Sequence, residues 1–217
     1  MICTNGRTTV GKPDKLFGVN ALAKERIAEI GKENVINSTI GVLLDDNGKL
    51  VVLSSVMDAL HTLQPEDFAA YAPIAGIPEY KEAVTKAVFM EEIPQNTYIE
   101  TCFTPGGTGA LRNAISCYSS PGDKILTSDW HWAPYNVIAA ELGREVTTYT
   151  LFDDTFHFNA TSFHQALSEI LAAQDQAVVI INTPAHNPTG YTFTLEDWDK
   201  VIQIFRSFPD KNIICVV

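Results

Sequence analysis

In the second half of the chain, short apolar or β-branched runs alternate with stretches of helical spacing. The runs are YIETCF (98–103), KILTS (124–128), EVTTYTL (145–151), AVVIINT (177–183) and NIICVV (212–217). Runs this short, without strict apolar–polar alternation, predict strands covered on both faces. Between them the spacing predicts helices over 110–118, 134–142, 162–171 and 195–208. Thr194 opens the last of these, with Asp197 three residues on as its capping partner. Such alternation predicts a three-layer α/β/α fold around a mostly parallel sheet. In a sheet of this kind a ligand lies beyond the C-terminal ends of the strands.

The first half is less regular. Residues 1–12 are polar and contain glycine, so an arm or loop is expected. A helix is expected over 16–30, with Leu22, Ile27 and Ile30 in its apolar stripe. VINSTIGVLLDDNGKLVVLSSV then places a hairpin-like turn, DDNGK (45–49), between two apolar runs. Residues 65–78, with three prolines and one glycine, are expected to be a long connection. Residues 79–90 are expected to be helical, with Tyr80, Ala83, Val84 and Ala87 on one side.

Composition narrows the function. The 217 residues are 46% hydrophobic, which is globular, and carry a formal charge of -11. That charge argues against nucleic acid, whose binding needs clustered Lys and Arg. It leaves room for a phosphate held by backbone N–H groups. Cys3, Cys102, Cys117 and Cys215 show no metal-ligand spacing. Cys102 and Cys215 sit in strand-like runs and are expected to be buried thiols. A reducing, cytoplasmic compartment follows as the expectation. MICTNGRTTVGKPDK lacks the apolar core of a signal peptide, and no apolar run is long enough to span a bilayer. No set of His, Cys, Asp and Glu forms a metal motif.

Three polar segments follow strands. TPGGTGAL (104–111) brings Gly106, Gly107 and Gly109 to the start of a helix, where free N–H groups and the dipole would accept a phosphate. It matches neither GxGxxG nor a Walker loop. SDWHWAPY (128–135) clusters Trp130, His131, Trp132 and Tyr135, and a flat cofactor needs an aromatic face. INTPAHNPTG (181–190) ends an apolar run on Asn187, whose backbone Pro188 keeps out of the helical region. Its amide is then free to donate to an oxygen on a flat ring. Each segment also has an ordinary reading: a tight turn, a core tryptophan, an Asx turn. Three at successive strand ends of one sheet suit a phosphorylated planar cofactor better.

GGTGALRNA, SDWHWAPY with ELG downstream, and AHNPTG, in that order, resemble a fold type I pyridoxal-phosphate (PLP) aminotransferase. INSTIGVLLDDNGKLVVLSSV and YAPIAGIPEY are similar to the aspartate and aromatic amino acid aminotransferase branch. The resemblance covers nearly all of residues 34–217. It implies that Gly107, Thr108 and Gly109 hold the cofactor phosphate, that Trp132 stacks on the ring, and that Asn187 donates to the ring's phenolic oxygen. It implies that Tyr71 reaches the phosphate of a neighbouring subunit in a homodimer with shared sites. Ile40 and Gly41 would lie over an amino acid or 2-oxo acid substrate. Gly106 departs from the branch's usual serine, and Tyr135 stands where histidine is frequent.

On the same resemblance, residues 1–50 are an arm and small-domain segment, and 51–217 part of a large cofactor-binding domain. The lysine that bonds the cofactor, the carboxylate that pairs with its pyridine nitrogen, and the arginine that clamps the substrate carboxylate come later in that family. Lys81, Lys86, Lys124 and Lys200 are poor substitutes, so no catalytic residue is assigned within 1–217. The chain reads as an inactive piece of a transaminase for aromatic or dicarboxylic amino acids. A carbon–sulfur lyase of the same fold type and a non-catalytic cofactor-binding module are the alternatives.

Overall fold

The computed structural model describes residues 15–90 and 92–217. The chain divides into two compact units, Met1–Ala72 and Pro73–Val217. The boundary expected between residues 50 and 51 falls inside the first unit. The expected arm over 1–12 and Cys3 lie outside the described residues.

In the first unit helix α1 is Lys15–Ile30, followed by a 3-10 turn at Lys32–Asn34. The expected hairpin shrinks to a single antiparallel bridge, Leu44 with Leu50. Asp45 closes its turn: the carboxylate accepts the N–H groups of Asn47 at 2.9 Å and Lys49 at 2.8 Å. Gly48 has φ 72°, a conformation only glycine adopts without strain. The second apolar run does not extend as a strand, because Ser54–Thr62 folds as helix α2. A two-stranded ribbon with no covered face has little to hold it. A short helix α3, Pro65–Ala69, occupies part of the expected connection. Proline stands at its start, where its missing N–H costs nothing, and Asp67 accepts the Gln64 N–H at 2.8 Å.

The second unit is the α/β body. Its helices are α4 (Pro78–Phe89), α5 (Gly106–Tyr118), α6 (Pro134–Glu141), α7 (Ala160–Ala173) and α8 (Leu195–Arg206). Its strands are β1 (Lys124–Ser128), β2 (Glu145–Tyr149), β3 (Gln176–Ile180) and β4 (Asn212–Val216). All pair in parallel, in the order β2-β1-β3-β4. Adjacent residues alternate faces, so each strand feeds two cores. Leu126, Ala177 and Val179 meet Phe163, Leu167, Ile170 and Val201 on the α7–α8 side. Ile125, Val178 and Ile180 meet Ile115, Tyr135, Ile138 and Ala139 on the α5–α6 side. The three-layer α/β/α architecture is therefore as expected.

Two caps are local in origin. Thr194 accepts the Asp197 N–H at 3.2 Å while Asp197 accepts the Thr194 N–H at 2.9 Å, the expected reciprocal cap. Asn159 accepts the Ser162 N–H at 2.9 Å and starts α7 two residues early.

The segment 98–103 is not a strand. Its Phe103 N–H donates to Ala75 O at 2.9 Å, but it joins no ladder. Apolar and β-branched residues favour extension, yet a strand exists only with a hydrogen-bonding partner. For the same reason Cys102 is exposed, and Cys215, on edge strand β4, is exposed too; neither is the buried thiol expected. Among the described residues, no helix is long and apolar enough to cross a membrane.

Candidate cofactor site at the strand ends

The strand order sets where a site can form. From β1 the chain passes through α6 on one face to β2; it then returns through α7 on the other face to β3, on the far side of β1. The loops leaving β1 and β3 therefore part at their C-terminal ends and open a crevice.

One wall is the start of α5. The helix begins at Gly106, not at residue 110, so the glycines form its first turn. Gly106 has φ 72°. A Cβ on Gly109 would stand 2.6 Å from Pro105 Cδ and Cγ, so this turn closes only with glycine there. A Cβ on Gly107 would meet nothing within 4 Å, so the backbone faces open space. The first N–H groups of a helix have no partner inside it, and the helix dipole adds positive potential. Gly107 and Thr108 carry such first-turn N–H groups, whereas the Gly109 N–H makes the first intrahelical bond, to the N-cap Pro105 carbonyl. A turn of this kind suits an anion without a basic side chain.

The second wall follows β1. Asp129 N–H donates to Tyr149 O at 2.8 Å, and the Asp129 carboxylate accepts the N–H of Leu151 at 2.9 Å and of Trp130 at 2.9 Å. This pinned turn sends Trp130 into solvent and lays Trp132, half-buried, edge-on to Tyr135 with ring centroids 5.6 Å apart. Neither tryptophan is a core residue. His131 donates from Nδ1 to Ser128 O at 2.8 Å and accepts from Asn136 Nδ2 at 2.8 Å through Nε2.

The third wall follows β3. Asn182 Nδ2 donates to the Tyr135 hydroxyl at 3.2 Å, and Asn182 Oδ1 accepts the Asn187 N–H at 2.7 Å. The Asn187 backbone is so held while its side chain stays exposed. His186 is buried, 2% exposed, between the two loops. Its Nε2 lies 3.1 Å from Ser128 Oγ and its Nδ1 2.8 Å from Thr189 Oγ1. Burial holds this imidazole below its ordinary pKa. The Trp130 carbonyl acts in the opposite sense, His131 adds to the depression, and Asp129 opposes it.

Gly107, Leu111, Tyr135, Asn182, Val216 and Val217 line one cavity of about 360 Å³. Of the residues expected to bind cofactor, Gly107 is in that lining. Trp132 packs on Tyr135, and Asn187 hangs on Asn182. Tyr71, Ile40 and Gly41 belong to the first unit, where all three are exposed. The Tyr135–Asn182 pair was not foreseen. A polar residue closing the apolar run AVVIIN was the available signal. His186 resembled any loop histidine, because burial is not visible in sequence.

The donor set can be tested by substitution. Gly109→Ala forces the Pro105 ring and the first turn of α5 apart. PLP affinity is expected to fall at least about tenfold, or about 1.4 kcal/mol, in an equilibrium titration. An unchanged dissociation constant would remove the α5 turn from the site.

The profile of the aminotransferase class I and II family matches residues 33–216. The chain is 29% identical to the aromatic-amino-acid aminotransferase of Escherichia coli (strain K12), covering 84% of this chain and 47% of that one. It is 32% identical to the aspartate aminotransferase of Salmonella typhi, covering 78% and 43%. A crystal structure of an aminotransferase from Anaerococcus prevotii superposes with a TM-score of 0.93 at 38% identity, covering 99% of this chain and 53% of that one. The chain thus spans about half the length of the curated relatives it matches.

Proposed function

We propose, because this chain belongs to the aminotransferase class I and II family, that the whole protein moves an amino group between an L-amino acid and a 2-oxo acid. PLP, the cofactor of that family, supplies an electron sink for the substrate's α-carbon when bound. The donor types at the start of α5 and beyond β1 and β3 fit such a group. Its phosphate suits the first turn of α5 at Gly107, Thr108 and Gly109, where the Gly107 and Thr108 N–H groups have no partner inside the helix. Its flat face suits Trp132, and its phenolic oxygen suits the exposed Asn187 amide. The observation that carries the reading is the cavity beneath the α5 turn, walled by Tyr135 and Asn182 and by the C-terminal ends of β3 and β4.

Each residue has one task. The α5 turn neutralises the phosphate without a lysine. Tyr135 and Asn182 lock each other, so neither polar group is left unpaired in a poorly solvated wall. Asn182 then fixes the backbone of Asn187 and aims its amide. Trp132 excludes water from one face.

Aromatic or dicarboxylic amino acids are the substrate class supported by the names of the relatives. Ile40 and Gly41 are assigned to cover the substrate. Tyr71, fully exposed in its own unit, is assigned to the phosphate of a second subunit in a cytoplasmic homodimer.

The whole protein with PLP should convert L-tyrosine, L-phenylalanine or L-aspartate plus 2-oxoglutarate into the corresponding 2-oxo acid and glutamate. Sulfide or pyruvate released from a sulfur amino acid, without a 2-oxo acid acceptor, would instead assign a carbon–sulfur lyase. PLP binding without turnover of any amino acid would leave a cofactor-binding module.

A further inference from the structure

Four polar groups at the base of the crevice form a directed chain. The Ser128 hydroxyl donates to the Trp130 carbonyl, which can only accept. Its single proton is thereby used, so Ser128 Oγ accepts from His186 Nε2 at 3.1 Å, and the proton of the ring is on Nε2. Nδ1 of the neutral ring is then an acceptor, and the Thr189 hydroxyl donates to it at 2.8 Å. Thr189 Oγ1 in turn accepts the Tyr191 N–H at 3.2 Å. Ser128 is 3% exposed and His186 2%, so these bonds form away from water, where a broken one costs most.

We propose that His186, as the neutral Nε2–H tautomer, is a positioning residue that bolts the loop carrying Trp132 to the loop carrying Asn187. The chain Thr189–His186–Ser128–Trp130 links the two at their buried side, beside the Tyr135–Asn182–Asn187 connection. Asn187 follows His186 in sequence, and Trp132 lies two residues after Trp130. The imidazole therefore helps to set the distance between the indole of Trp132 and the amide of Asn187, together with the Asn182 bond to the Asn187 N–H. The inference rests on the proposed function for its consequence, but not for its geometry.

The link is pH-sensitive in a defined direction. A proton on Nδ1 would turn the acceptor into a donor and oppose the Thr189 hydroxyl. Among the described residues, Asp129 and His131 on the β1 loop are the titratable groups that face the ring. The folded pKa lies below the unfolded value of about 6.5. The unfolded chain then binds more protons between the two values, so stability falls as pH drops from about 6.5 through the folded value.

Three measurements on the whole protein test the proposal. The 15N resonances of the His186 ring, recorded without cofactor at neutral pH, should show a protonated Nε2 and a bare Nδ1. The opposite tautomer, or a doubly protonated ring, overturns the proposal. PLP titration should show a loss of affinity of about tenfold for His186→Phe. His186→Gln, which keeps a donor near Nε2, should lose less. A folded His186→Phe protein that binds PLP as tightly as its parent overturns the positioning role.

Ser128→Ala cuts the same link with little change of volume, and so covers the case in which His186→Phe does not fold. The pair Ser128→Ala/His186→Gln should bind PLP no more weakly than the worse single variant, because members of one chain are not additive. Additive losses overturn the proposal. A parent protein that binds no PLP overturns the proposed function instead, and the tautomer then decides the link by itself.

Discussion

Residues 1–217 alone are expected to transfer no amino group between an amino acid and a 2-oxo acid, even with excess PLP. The reaction needs an amine at the cofactor that bonds it and then moves a proton, and positioned proton transfer alone contributes about 10²–10⁴-fold. The described lysines of the α/β unit are wrongly placed for this. Lys124 begins β1 and Lys211 precedes β4, so both stand at the N-terminal ends of strands, opposite the crevice. Lys211 is further tied to Gln174 O at 3.2 Å. Lys200 sits within α8, paired with Glu196 at 2.8 Å. Lys81 and Lys86 line a separate cavity with Glu100, to which Lys81 is ion-paired. The check is glutamate formation from 2-oxoglutarate and an L-amino acid, measured against the same mixture with free PLP. Turnover above that background would show that one of these lysines reaches the cofactor.

Phe163→Ala is expected to destabilise the α/β unit by about 3–5 kcal/mol, the range for removing a fully buried aromatic ring. Phe163 is 0% exposed and stands where α7 meets the sheet. Its ring centroid lies 4.9 Å from that of Tyr149, 5.6 Å from Phe158 and 6.0 Å from Phe205. The lost ring leaves a void among other rings, which cannot close over it without leaving their own rotamers. Since domains are stable by about 5–15 kcal/mol, much of the fold's margin would go. Urea unfolding of the parent and the variant measures the difference. A loss under about 1 kcal/mol would mean that α7 settles into the gap.

The four parallel strands, the five helices over 78–206 and the Thr194–Asp197 cap were legible because their causes are local. Apolar runs of five residues need cover on both faces, and a threonine with an acid three residues later satisfies a helix start by itself. The segment 98–103 shows the limit. Its composition favours extension, but a ladder needs a second strand, and composition says nothing about pairing. Ser54–Thr62 shows the converse: residues adjoining an apolar run turned into a helix when no strand continued opposite them.

The glycines of 106–109, Trp132 and Asn187 were legible as candidate chemistry from their residue types, although only Trp132 and Asn187 follow strands, because 98–103 forms none. The sequence by itself determined the three-layer class, the glycine turn that opens α5 and the family. The tertiary structure decided which tryptophan faces solvent, that Tyr135 and Asn182 hold each other, and that His186 is buried between Ser128 and Thr189. Those outcomes depend on strand order and burial, which bring together groups as far apart in the chain as Ser128 and His186. No local pattern encodes a hydrogen bond across such a separation.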